Sequence, residues 1–85
     1  MRIVQTAEFE HSLQKLSAGI QRLCAAQIEY LRRDRHDPRL HIKKLHGLEG
    51  VYSFRVTRSY RALFYFDREG DLILFDIDDR KDVYR

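Results

Sequence analysis

An 85-residue chain is expected to fold as one domain spanning positions 1–85. With 44% hydrophobic and 34% charged residues and no run of about 18 apolar residues, it reads as a water-soluble globular domain, which excludes a membrane span. Cys24 is the sole cysteine and the formal net charge is +3, so a disulfide framework is excluded and a cytoplasmic setting without a secretion signal is expected.

The first elements are helical. Positions 2–6 alternate briefly and read as an edge strand. Thr6 is a fair N-cap, with Glu8 in the turn that follows it. Phe9, Leu13 and Leu16 recur at helical spacing, which predicts an amphipathic helix. Ser17-Ala18-Gly19 predicts a break, because Gly disfavours helix interiors and Ser caps. A second helix carries Ile20, Leu23, Cys24, Gln27, Ile28 and Leu31 on one stripe, with Cys24 read as a small buried apolar side chain. It ends in Arg32-Arg33-Asp34-Arg35, and Asp37-Pro38 closes it.

Beyond Pro38 the pattern turns to strands. Positions 43–50 read as a loop punctuated by Gly47 and Gly50. Positions 51–57 alternate, with Tyr52, Phe54 and Val56 on one face and Ser53 and Arg55 on the other. Positions 60–66 are aromatic-rich and predict a central strand. Positions 67–71 form a hairpin loop, 72–77 a strongly apolar strand, and 78–85 a polar tail. The expected fold is α+β, in the order β-α-α-β-β-β. An antiparallel sheet carries a two-helix hairpin on one face.

The positive charge is mostly arginine, whose planar fork suits bidentate phosphate contacts. If Thr57-Arg58-Ser59 is the loop after Val56, its odd count pairs Val56 with Tyr60. Arg55 then opposes Arg61 on one face, with Cβ atoms about 5 Å apart. Arg80 follows the end of the next strand, which returns beside Arg61, and Tyr84 lies four residues on. The cluster is expected at the surface, so losing one arginine should disturb folding little. Like charges across strands are destabilising, and a fold tolerates them more readily where an anion is expected.

The histidines, His11, His36, His41 and His46, show no ligand spacing with cysteines or carboxylates, and no metal or other cofactor is expected. No phosphate-binding glycine loop or Gly-x-Ser-x-Gly elbow is present. Arginines alone suit a reaction that gathers negative charge on phosphate oxygens. Attack of an RNA 2′-hydroxyl on its own phosphate is such a reaction.

Leu45-His46-Gly47-Leu48, Val51-Tyr52-Ser53-Phe54-Arg55, Tyr60-Arg61-Ala62-Leu63-Phe64-Tyr65 and Asp79-Arg80-Lys81-Asp82-Val83-Tyr84 together resemble the RelE/ParE toxin superfamily of type II toxin–antitoxin systems. Among its members the chain is most similar to the RelE-type mRNA interferases. The resemblance implies a ribosome-dependent endoribonuclease that cuts mRNA and is held inactive by a cognate antitoxin. It implies that Arg61 stabilises the phosphorane-like transition state, and that Arg80 stabilises or protonates the leaving 5′-oxygen. Arg55 occupies a position often lysine in those enzymes, where it helps activate the 2′-hydroxyl. Tyr84 matches a tyrosine that stacks on or orients the nucleotide. Ser53 stands where a second basic residue occurs in that pattern. With Lys43 and Lys81 it is expected to meet RNA.

Arginine is a poor general base because it stays protonated. The proton acceptor is open between His46, Lys44 or Lys43, and Asp78 or Asp79. Partners implied are the antitoxin, the ribosome and mRNA, with no membrane and no small-molecule ligand. Two alternatives share the fold: a gyrase-inhibiting ParE-like toxin, and an inactive member that only binds an antitoxin.

Overall fold

A computed structural model describes residues 1–79. Strand β1 spans Ile3–Gln5, helix α1 Ala7–Gln14 and helix α2 Ala18–Arg33. A 3₁₀ turn, Pro38–Leu40, leads into β2 (Lys43–Lys44), β3 (Tyr52–Arg55), β4 (Tyr60–Phe66) and β5 (Leu72–Asp79).

Local chemistry sets the helix starts. The Thr6 hydroxyl accepts from the Phe9 N–H at 3.1 Å and the Ser17 hydroxyl from the Ile20 N–H at 3.2 Å. Each satisfies one of the donors that a helix leaves unpaired at its N-terminus. The predicted break at Ser17-Ala18-Gly19 is therefore a cap and first turn, with Gly19 inside α2. Asp37 caps the 3₁₀ turn by accepting from the Arg39 N–H at 2.9 Å.

The sheet order is β1-β5-β4-β3-β2. The hairpin-linked strands β3, β4 and β5 are antiparallel as expected, but β1 pairs parallel to β5, with Ile3 opposite Leu72 and Gln5 opposite Leu74. The sheet is thus mixed. Direction alternates only where short turns join neighbours, and β1 is separated from β5 by both helices. Lys43–Lys44, expected as loop, pairs with β3 as a short edge strand.

One irregularity governs the faces. Leu63 opposes Asp76 while Phe64 opposes Leu74, so Phe75 is an extra residue in β5. Strict alternation from Leu74 would send Asp78 into the core and Ile77 out of it. The bulge reverses that, burying Ile77 at 5% exposure and setting Asp78 opposite Arg61.

Phe9, Cys24, Ile28 and Leu31 from the helices pack on Phe54, Ala62, Phe64, Leu72, Leu74 and Ile77 of the sheet. Burial pushes the Cys24 thiol up to about 12, so it stays an uncharged core side chain. Two members of the predicted α2 stripe depart from a purely apolar role. Leu23 is exposed, and Gln27 is drawn inward by two carbonyls described below.

Asp71 fastens the start of β1 to the β4–β5 turn. Its carboxylate accepts from the Arg2 backbone N–H at 3.0 Å and from the Arg2 guanidinium at 3.1 and 3.2 Å. Those bonds, the backbone one foremost, hold its carboxyl below the ordinary carboxylate value of about 3.9. A depressed folded value stabilises the fold above the unfolded value and loses that contribution as pH falls through the folded one. Acid denaturation below about pH 4 should therefore be shallower in Asp71→Asn than in the parent. Parallel pH-melting curves would show the carboxylate plays no such part.

Candidate functional site

The β3–β4 register sets Arg55 directly opposite Arg61, and the β4–β5 register sets Asp78 on the other side of Arg61. Arg55, Arg61 and Asp78 thus form one row across three strands. The row lies on the sheet face away from the helices, because its neighbours Phe54, Ala62 and Ile77 belong to the helix-covered core. The backbone bond from Val56 N–H to the Tyr60 carbonyl, 3.0 Å, closes the hairpin with the three-residue loop that this parity needs.

Arg61 corrects the expectation of a surface charge. It is 1% exposed, among the largest fully buried side chains. Its Nε donates to the Ser53 hydroxyl at 2.8 Å. Its Nη2 donates to the His41 carbonyl, with a longer contact to the Ser53 carbonyl at 3.4 Å. The physical reason is the partner set. A guanidinium offers five donors in a fixed fork, and Ser53 on the neighbouring strand β3, through its hydroxyl and carbonyl, together with the His41 carbonyl supplies acceptors for it. Arg55 and Asp78 keep partial exposure, so the row meets solvent on either side of the buried Arg61.

Three residues hold this frame. His41 adopts the left-handed conformation, φ 47° and ψ 51°, which aims its carbonyl at Arg61. A non-glycine residue sits there only where its surroundings fix it. The Gln27 side chain supplies part of that fixing. Its Nε2 donates to the Arg39 carbonyl at 2.9 Å and to the Arg55 carbonyl at 2.8 Å, joining α2 to the 3₁₀ turn and to β3. Ser53 is fully buried and holds Arg61, so within this structure it faces a guanidinium instead of solvent.

The other expected site residues divide. Lys43 opposes Ser53 and shares the face of Arg61, whereas Lys44 opposes Tyr52 and shares the helix-covered face. Asp79 opposes Tyr60, whose ring packs on the core. His46 is exposed in the loop between β2 and β3, beyond the end of the Lys43–Lys44 pairing. Arg80, Lys81 and Tyr84 lie outside the described residues. Sequence reasoning missed His41 and Gln27. Backbone carbonyls carry no side-chain signature, and a glutamine on an apolar stripe was the one legible signal.

Among the described residues, Asp67, Glu69 and Asp71 place ligand atoms within 4.8 Å of one another. They occupy the turn at the opposite end of β4 from Arg61. Asp67 already accepts from the Glu69 and Asp71 N–H groups, and Asp71 from Arg2. Turn capping accounts for that cluster. Among the described residues no helix is long and apolar enough to cross a membrane.

No family model and no curated protein matches the chain. Solved structures do. A YoeB/ParE toxin from Agrobacterium tumefaciens superposes with a TM-score of 0.76 at 18% identity, over 94% of this chain and 99% of that one. The RelB–RelE antitoxin–toxin complex from Methanococcus jannaschii gives 0.75 at 21% identity, over 95% and 94%. The toxin–antitoxin complex RelBE2 from Mycobacterium tuberculosis gives 0.67 at 28% identity, over 93% and 96%. Helices, five-stranded sheet and motifs agree in one assignment: the chain has the fold of the RelE/ParE toxin superfamily.

Proposed function

We propose that the chain is the toxin of a type II toxin–antitoxin pair and cleaves mRNA on the ribosome by attack of a 2′-hydroxyl on the adjacent phosphate. Its fold, shared with RelE and YoeB toxins, supports the toxin reading. Neighbours solved with their antitoxins support a cognate antitoxin as partner. The observation that carries the chemistry is the pair of opposed guanidiniums, Arg55 and Arg61, held on one sheet face.

In the proposed reaction the 2′-oxygen bonds to phosphorus, the bond to the 5′-oxygen breaks, and the products are a 2′,3′-cyclic phosphate and a 5′-hydroxyl. Arg55 meets the scissile phosphate at the solvent edge. Arg61 acts from within the sheet as a charge fixed before substrate arrives, so little reorganisation is needed as negative charge builds on the equatorial oxygens. Of the proton acceptors the sequence offers, Asp78 is the one the register sets beside Arg61. Lys43 shares that face and suits the RNA backbone. Arg80 keeps its expected role at the leaving oxygen, Tyr84 stacks on the nucleotide, and Lys81 adds backbone charge.

Induced expression followed by primer extension on a defined mRNA tests the reading. Wild-type protein should produce discrete cuts, and Arg55→Ala should reduce them by about tenfold or more. Growth arrest with intact message and inhibited DNA supercoiling would replace it with the gyrase reading.

A further inference from the structure

A groove of about 740 Å³ opens on the helix side of the sheet, between the 3₁₀ turn and β3–β4. Its floor is aromatic. Tyr52 stacks on Phe64 with centroids 5.7 Å apart, and Phe66 meets Tyr52 and Phe64 edge-on at 6.1 and 5.9 Å. Tyr52 and Phe66 stay partly exposed, while Phe64 is buried beneath them. The rim carries Arg35, His36 and His41, and the Arg35 guanidinium lies 5.7 Å from the Phe66 ring centre. Among the described residues the one carboxylate lining it, Asp37, is paired with Arg39 at 2.7 Å, so it does not cancel the charge of Arg35. Arg32 and Arg33 precede the groove on α2, and Lys44 shares the face of Tyr52.

We propose that this groove is a second RNA-binding site, which takes one or two nucleotides of a single strand that continues past the arginine row. The chemistry is complementary on both counts. Partly exposed aromatic rings accept a base by stacking, and the basic rim accepts the phosphate beside it. The volume falls within the range of about 300–1,000 Å³ typical of small-ligand clefts. An acidic strand fits this rim better than an apolar protein segment, which would leave Arg35 to be buried without a counter-charge. His41 links the two sites. It lines the groove, and its carbonyl holds Arg61 on the opposite face of the sheet. A strand rounding the sheet edge at His41 would therefore contact both.

The inference rests on the RNA reading above but is tested separately. A short 2′-O-methylated oligoadenylate cannot be cut by its own 2′-hydroxyl. It is titrated into the full chain while the ring signals of His36, His41 and Tyr52 are followed by NMR. These signals should shift together and saturate. Arg35→Ala and Tyr52→Leu should each weaken binding by about tenfold with the rest of the spectrum unchanged. Arg35 is on the surface, so its variant keeps the test decisive if Tyr52→Leu folds poorly. Silent groove signals, or wild-type affinity in Arg35→Ala, overturn the groove proposal; a groove reserved for a protein segment gives that result. Cleavage at the arginine row is read independently by primer extension, so either claim can fail without the other.

Discussion

Replacing Arg61 by alanine is expected to cost both the fold and the reaction. The side chain is buried and donates to Ser53 and His41, and Ser53 is itself buried. Removing the guanidinium leaves those acceptors unpartnered and opens a cavity in the sheet face. Breaking such a set costs roughly 2–4 kcal/mol, which for a domain of this size lowers the melting temperature by roughly 10–25 °C. Cleavage of ribosome-bound mRNA should fall by about 10²-fold or more, as when one preorganised charge donor is lost. Thermal denaturation followed by circular dichroism, with primer extension run well below the new midpoint, separates the two effects. Arg61→Lys keeps the charge but loses the planar fork, and it should fall between the two. A melting temperature within a few degrees of wild type would mean that Arg61 does not serve as the internal clamp. Full cleavage by folded Arg61→Ala would remove its charge from the chemistry.

Gln27→Ala should produce the second-largest effect, although Gln27 touches no substrate in the proposed reaction. One amide nitrogen bridges the carbonyls of Arg39 and Arg55, at 2.9 and 2.8 Å. Its loss leaves both carbonyls short of a partner and frees the 3₁₀ turn from β3. The expected cost is roughly 1–3 kcal/mol, or roughly 5–20 °C in melting temperature. Because the turn leads directly into His41, whose carbonyl holds Arg61, cleavage should fall by more than the residual unfolding explains. Gln27→Glu keeps the shape but presents carboxylate oxygens to carbonyls, so it should be no better than alanine. Equal melting curves for Gln27→Ala and wild type would show that the bridge is dispensable.

The opposition of Arg55 and Arg61 was legible because it depends on parity alone. A three-residue loop between two alternating runs fixes which residues face each other, and the structure has that register. The helix caps at Thr6 and Ser17 were legible for a similar reason, since a hydroxyl three residues before a free N–H acts locally. What lay hidden was non-local. The parallel pairing of β1 with β5 joins segments far apart in sequence (Ile3 with Leu72), with no turn to announce it. The bulge at Phe75 leaves no pattern in a strand as uniformly apolar as Leu72-Ile73-Leu74-Phe75, yet it decides that Asp78 and not Ile77 flanks Arg61. Lys43–Lys44 is too short to alternate, so it read as loop. The burial of Arg61 depends on a backbone carbonyl at His41, and carbonyls are invisible in a sequence. Arg80, Lys81 and Tyr84 lie outside the described residues, and their proposed roles come from the resemblance of their motif to RelE-type toxins.

The most direct test of the chemistry uses purified ribosomes programmed with two messages that differ only in one sugar at the cut position. On the all-ribose message the protein should leave a 2′,3′-cyclic phosphate and a 5′-hydroxyl, and the message with a single 2′-deoxy sugar should stay whole. Cutting at the deoxy position, or a product with a 5′-phosphate, would contradict attack by the RNA's own hydroxyl at the arginine row.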